Sequence, residues 1–105
     1  MSDDNQIDIP ASFTALFVLP GRQKSSEPRH VVADRYELCE DMATMLTETA
    51  KNMQFSLGIS EHEVLVRVQR GLTGDDAVVT VPEAQWVTQR LAELLDWEFD
   101  PILLA

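Results

Sequence analysis

One stretch of the chain carries apolar residues at an unbroken helical spacing, and this periodicity constrains the fold more than any other feature. These residues recur every three or four positions: Val32, Tyr36, Cys39, Ala43, Leu46, Ala50 and Met53. Such spacing places the side chains on one face of an α-helix. Leu38, Met42 and Met45 widen the stripe. The pattern predicts a long amphipathic helix over about residues 29–54, with its apolar residues in a core. Met42, Met45 and Met53 are also assigned to the core, with an adaptable docking groove as the alternative.

Two shorter helices are predicted further along the chain, each beginning with a capping sequence. Ser60 stands three residues before Glu63, and Thr80 stands three residues before Glu83. This spacing lets the two side chains of each pair cap the helix reciprocally. The predicted inner faces comprise Val64, Leu65, Val68 and Leu72 in one helix, and Ala84, Val87, Leu91, Leu94 and Leu95 in the other. The second helix is predicted to continue to about Trp97, since Pro101 disfavours helical geometry at the residue before it.

The remaining segments are connectors and ends. Residues 55–59 are predicted to connect two helices, with Gly58 free to adopt a positive φ. Val78 and Val79, in the segment that precedes Thr80, are expected to pack into the core. Between Pro10 and Pro20, the apolar run Ser12 to Val18 predicts a short helix, with a strand as the alternative. At the C-terminal end, Ile102 and Leu103 are expected to fold back on the helices.

The predicted architecture is therefore all-α. It consists of a small bundle of three main helices plus a short N-terminal helix, and no segment predicts a β-sheet. Residues 1–10 are predicted to form a flexible acidic arm, and residues 11–105 a single helical domain.

The charge balance limits the classes of partner. The chain carries a formal net charge of -10 at pH 7. Such a charge repels the phosphates of nucleic acids and anionic lipid heads, so a protein partner is favoured. The N-terminus lacks the features of a signal peptide, and no apolar run is long enough to span a membrane. With Cys39 as the only cysteine, an internal disulfide is excluded, and a cytoplasmic location is expected.

Three sequence features partly match known chemical motifs, and none supports a site. Lys24-Ser25 lacks the glycines that a phosphate-binding loop needs. His62-Glu63 would need a second histidine at position 66, where Val66 stands, to resemble a zinc-protease helix. Cys39 lies on the apolar stripe and is interpreted as a buried thiol rather than a nucleophile. We therefore expect no catalytic, cofactor-binding or metal-ligating residue, and no enzyme.

Candidate partner-binding residues lie where acidity is concentrated. Residues 91–105 include several carboxylates and no cation, and the long helix has an excess of acids. The candidates are Glu40, Asp41, Glu93, Asp96 and Trp97. Tryptophan is enriched at binding hot spots, so Trp97 can be either an anchor for a partner or a core residue, whereas Trp86 is assigned to the core.

A helix-turn-helix regulator that binds DNA is the alternative function. The helices that begin near Ser60 and Thr80 could form the pair of helices that this motif requires. Against it, the link between them is long, and Arg90 is the only cation on the second helix. Binding to phosphates and bases normally needs several cations or donors, so nucleic acid is the less favoured partner.

Three segments together resemble a known family: RYELCEDMATMLTETA at residues 35–50, GISEHEVL at 58–65 and EAQWVTQRLAELLDW at 83–97. The chain looks like a small uncharacterised bacterial family loosely labelled "ATPase with chaperone activity". The resemblance implies association with a chaperone, as an adaptor or regulator, while the ATPase part of the label has no matching motif here. The favoured function is thus a protein–protein interaction module, and burial of apolar positions in a homodimer is an additional expectation.

Overall fold

The computed structural model describes residues 8–22 and 24–99, and they form helices joined by turns. A short helix α1 spans Ala11–Thr14 and continues as a 3-10 turn over Ala15–Phe17. The three main helices are α2 at Arg29–Leu57, α3 at Glu61–Leu72 and α4 at Val81–Leu95. The described residues contain no strand, only an isolated bridge between Val18 and Ser25. The prediction of an all-α fold with three main helices and a short N-terminal helix is confirmed.

Contacts between residues divide the chain into two units, Met1–Leu38 and Cys39–Ala105. In the first unit, Phe13 of α1 is fully buried. Its ring lies 5.6 Å from the ring of Tyr36 in an edge-on arrangement, and 5.5 Å from the ring of Phe17. Edge-to-face contacts of this kind stabilise aromatic pairs by about 0.5–1.5 kcal/mol beyond their burial. An aromatic cluster therefore anchors the short N-terminal helix.

In the second unit, three helices contribute to one hydrophobic core. Its buried residues are Ala50 of α2, Val64, Leu65 and Val68 of α3, and Leu91 and Ala92 of α4. Partly buried residues pack around them, including Leu46, Met53 and Trp97. The small side chains of Ala50 and Ala92 suit close packing of helices. The inner faces predicted from the 3.6-residue period are confirmed at these positions, with one exception on α4, where Leu94 is 39% exposed.

The two predicted capping boxes have different outcomes. At α4 the box is complete, because the Glu83 backbone N–H donates to Thr80 Oγ1 and the Thr80 N–H donates to Glu83 Oε1 at 2.9 Å. At α3 only half of it forms: the Glu63 N–H donates to Ser60 Oγ at 3.0 Å. The Glu63 carboxylate instead accepts from Arg67 Nε at 3.1 Å, one turn further on. An ion pair along the helix has replaced the second capping bond.

The expectations at the ends of elements have mixed outcomes. Helix α2 continues to Leu57, three residues beyond the predicted end, and Gly58 ends it with a φ of 63°. Val79 is buried as expected, but Val78 is 64% exposed. Helix α4 ends at Leu95 rather than near Trp97. The predicted acidic arm lies mostly within residues 1–7. Ile102 and Leu103, which are expected to fold back on the helices, lie within residues 100–105. Both stretches are outside the described residues.

Candidate functional site

Two of the five predicted partner-binding residues meet at one arginine. Arg90 of α4 donates to Glu40 of α2 through Nε, at 2.9 Å from Oε1, and through Nη2, at 3.0 Å from Oε2. Its Nη1 donates to Glu93 Oε1 at 3.2 Å, within the same helix. The Arg90 side chain is 33% exposed and the Glu40 side chain 25%. The planar guanidinium thus matches the Glu40 carboxylate in a two-point contact that ties α4 to α2.

The electrostatics of this cluster favour a structural role. The pKa of Arg90 is raised above its ordinary value, first by its hydrogen bond to Glu40. A guanidinium held in its charged form can neither accept nor release a proton in catalysis at neutral pH. Its Nε, Nη1 and Nη2 each donate to a carboxylate of the same chain, and these carboxylates offset the positive charge that would attract a phosphate.

Asp96 and Trp97 form the end of α4. Asp96 has a left-handed conformation, with a φ of 59°, and its N–H donates to the Glu93 carbonyl at 3.1 Å. The Trp97 N–H donates to the Ala92 carbonyl at 2.8 Å. These two bonds are those of a Schellman motif, which reverses the chain and places the following residue against the last turn. Trp97 accordingly packs on the cluster that contains Ala92.

The structure therefore separates the predicted set. Glu40 and Glu93 lie together at Arg90, whereas Trp97 is a half-buried residue of the core edge. Asp96 is exposed at the helix end, and Asp41 is exposed on α2. Of these five predicted residues, only Asp41 lies on a surface that has the features of a docking site.

That surface is the outer face of α2 in the second unit, which consists of Asp41, Met45, Glu48, Asn52 and Phe55. All five residues are exposed. Phe55 is 90% exposed and Met45 71%. The spacing along the face alternates between four and three residues, so the side chains form one line along the helix. At about 1.5 Å per residue, Met45 and Phe55 are about 15 Å apart along the axis.

The outer face lies almost opposite the packed face of the same helix. The inward residues are Ala43, Leu46, Ala50 and Met53, of which Ala43 and Ala50 are fully buried. At about 100° per residue, the centres of the two faces are separated by roughly 160°. The segment Cys39–Leu57 therefore contains one apolar stripe that the core covers and a second line of residues that the described chain leaves exposed.

Sequence reasoning missed Phe55 and preferred the wrong one of two assignments for Met45. The preferred assignment of Met45 to the core is wrong because the residue is 71% exposed. Phe55 was assigned to a connector, whereas α2 includes it. The outer face could have been recognised from the spacing of four and three residues that runs from Asp41 through Met45 to Phe55. These positions lie on the side of the helix away from its buried alanines.

Other features of the described chain offer less. Cys39 is fully buried, as predicted. No group of three or more His, Cys, Asp or Glu residues within 8–22 and 24–99 is arranged to hold a metal ion. In the first unit, Ile9, Thr14 and Val32 help to line a pocket of about 140 Å³. That volume is smaller than the roughly 300 Å³ of the smallest usual cofactor pockets. Among the helices that the structure describes, none is both long and apolar enough to cross a bilayer.

Comparisons of the chain with protein-family profiles, with curated proteins and with solved structures find no match.

Proposed function

We propose that this protein is a protein-binding module that docks a partner protein on the outer face of α2. The observation that carries the proposal is the exposure of Phe55, which leaves nine-tenths of a large apolar side chain in water. A single exposed apolar residue is ordinary, but a line that also contains Met45 offers two apolar contacts on one rigid helix. Burial of such side chains contributes about 1.5–3 kcal/mol each.

The character of the two residues supports a docking role. Phenylalanine and methionine are both enriched in the cores of protein interfaces relative to the rest of the surface. Methionine is flexible and polarisable, so it adapts to the shape of a partner. The opposite side of α2 is held by the core through Ala43 and Ala50, which fixes the position of the outer face. A rigid scaffold of this kind reduces the entropy lost on binding.

The cellular role that we propose is that of an adaptor or regulator in the cytoplasm, associated with a chaperone. The resemblance of residues 35–50, 58–65 and 83–97 to the chaperone-labelled bacterial family supports this part. Burial of Cys39 and the pairing of Arg90 with carboxylates support a binding role rather than a catalytic one.

The DNA-binding alternative has less support. Residues 73–80 separate α3 from α4, a link about twice as long as the three- or four-residue turn of a helix-turn-helix. The guanidinium of Arg90 is bound to Glu40 and Glu93. A salt-dependent shift of duplex DNA that is lost in Arg90→Ala would establish this function instead.

Site-specific photocrosslinking in the native cells tests the proposal. A photoreactive phenylalanine at position 55 should yield discrete adducts with one protein or a few, and Met45→Asp in the same chain should reduce them. The control places the same photoreactive residue at position 85, where Gln85 is exposed on α4. Identical adducts from both positions, adducts within the chain itself, or none at position 55 would overturn the proposal.

A further inference from the structure

The charges on the outer face of α2 restrict which kind of partner fits it. Asp41 and Glu48 are both exposed there, on either side of Met45 along the line, and Glu48 lies between Met45 and Phe55. A partner that buries Phe55 and Met45 must therefore lie close to two carboxylates. If it carried no cation, both carboxylates would lose hydration without compensation.

The geometry of the face favours a helix as the partner. Its residues follow the alternating spacing of four and three that defines the seam of a coiled coil. Within the described residues there is no β-sheet whose edge could accept an extended peptide. An amphipathic helix lying along α2 would contact Met45 and Phe55 through its own apolar residues.

A second copy of the same face is a poor occupant because of Glu48. This residue occupies the middle of the line, so a parallel, in-register pair would bring it against its own counterpart. An antiparallel pair centred on the face would do the same. Like charges placed opposite each other at an interface are destabilising.

We propose that the partner segment is a cationic amphipathic helix, with apolar residues on Met45 and Phe55 and lysine or arginine side chains opposite Asp41 and Glu48. This inference rests on the proposed function, since it names the partner of the same surface. The one exposed cation on α2 within residues 39–57 is Lys51, which flanks the face and lowers its negative potential. Charge pairing of this kind accelerates association and weakens with salt.

The test titrates the full chain with a capped helical peptide of leucine and lysine, roughly three heptads long. Binding is followed by calorimetry and by backbone amide NMR shifts. We expect shifts centred on residues 41–55 and binding that weakens as salt is raised. Glu48→Lys should weaken binding by about tenfold, which corresponds to about 1.4 kcal/mol. Lys51→Glu should strengthen it, and a peptide with glutamate in place of lysine should not bind.

The matched control is Asp76→Lys, which changes the net charge by the same amount at an exposed turn far along the chain. Equal weakening by Glu48→Lys and Asp76→Lys would mean that only the overall acidity attracts the peptide, and would overturn the inference. Concentration-dependent dimerisation that Phe55→Ala abolishes would assign the face to a second copy and overturn it too. A cross-linked partner whose contact segment is not a basic helix would leave the proposed function standing and overturn this inference alone.

Discussion

Arg90 on α4 donates through Nε and Nη2 to the carboxylate of Glu40 on α2, a residue 50 positions earlier in the chain. Both side chains are about one-quarter to one-third exposed, so the pair is neither a surface ion pair nor a fully buried one. Its two-point geometry gives α4 a fixed position relative to the second half of α2. The pair thus links the element that carries the outer face to the rest of its unit.

We expect this pair to stabilise the fold by about 1 kcal/mol of coupling energy, above the few tenths typical of exposed pairs. A double-mutant cycle of Glu40→Gln and Arg90→Gln, followed by urea unfolding, measures the coupling. The control cycle uses Glu63 and Arg67, an ion pair along α3 whose side chains are 40% and 48% exposed. Equal couplings in the two cycles would contradict the structural role of Arg90.

The pH dependence of the stabilisation by the Arg90–Glu40 pair follows from the direction in which the pKa of Arg90 is shifted. The pKa of Arg90 is raised in the folded protein, chiefly by its hydrogen bond to Glu40. A raised pKa means that the folded state binds the proton more tightly than the unfolded state, so the stabilisation is fully present below the ordinary pKa of arginine. It is lost only as the pH rises through the raised value. Glu40→Gln should therefore lower the free energy of unfolding by the same amount at pH 7 and pH 9.

Substitutions on the outer face should leave stability unchanged. Phe55→Ala and Met45→Ala remove side chains that are mostly in water, so we expect changes within about 0.5 kcal/mol in the free energy of unfolding. Leu91→Ala is the comparison, because Leu91 is fully buried and its truncation should cost about 2–5 kcal/mol. Thermal and urea unfolding measure all three. A loss above 1 kcal/mol for Phe55→Ala would show that the residue is packed in the free protein.

The unequal capping of α3 and α4 should be measurable. Thr80→Ala breaks a complete, partly buried box, and we expect a cost of about 1–2 kcal/mol. Ser60→Ala removes a single, exposed capping bond, and we expect about half of that cost. Urea unfolding of both variants gives the comparison, and a larger loss for Ser60→Ala than for Thr80→Ala would contradict it.

Replacing Asp96 with glycine should stabilise the protein. The left-handed conformation of Asp96 strains a residue with a Cβ atom, whereas glycine adopts it freely. We expect Asp96→Gly to raise the free energy of unfolding by about 0.5–1 kcal/mol, and Asp96→Ala to lower it. Urea unfolding distinguishes the two variants. An Asp96→Ala variant as stable as Asp96→Gly would indicate that the Schellman turn is not retained in solution.

The thiol of Cys39 should resist alkylation in the native state. The residue is fully buried, so a reagent reaches it only when the chain opens. At ordinary stabilities for a domain of this size, modification should be at least about a thousandfold slower than in denaturant. Mass spectrometry after exposure to iodoacetamide measures both rates. Rapid native alkylation would reopen the hypothesis of a reactive cysteine.

Much of the helical structure could be predicted because its determinants are local. The apolar period of α2, the capping residue Thr80 and the positive φ of Gly58 each depend on neighbours within a few positions. The errors arose where two local signals compete. The Glu63 carboxylate could either cap α3 or pair with Arg67, and in the structure it pairs with Arg67. Met45 fits the edge of an apolar stripe by spacing, yet no part of the described core reaches that side of the helix.

The candidate site was harder to predict than the fold. Of its outer face, the sequence named Asp41 as a candidate and Met45 only as an alternative to a core residue. The sequence placed Glu40 and Glu93 on acidic segments but could not show that Arg90 binds both of them. Similarly, Trp97 is a large side chain that suits either a core or a docking surface. The Schellman turn at Asp96 decides this, because it directs the chain back onto the last turn of α4.

The sequence by itself determined that this protein is built from helices, where most of them begin, and which face of each has enough apolar residues for a core. These properties follow from contacts three or four residues apart. Only the tertiary structure decided that Arg90 is bound to Glu40, that Trp97 packs on the core and that Phe55 and Met45 remain in water. The physical reason is that exposure and ion pairing depend on which helix lies opposite, and periodicity along one helix carries no information about its neighbour.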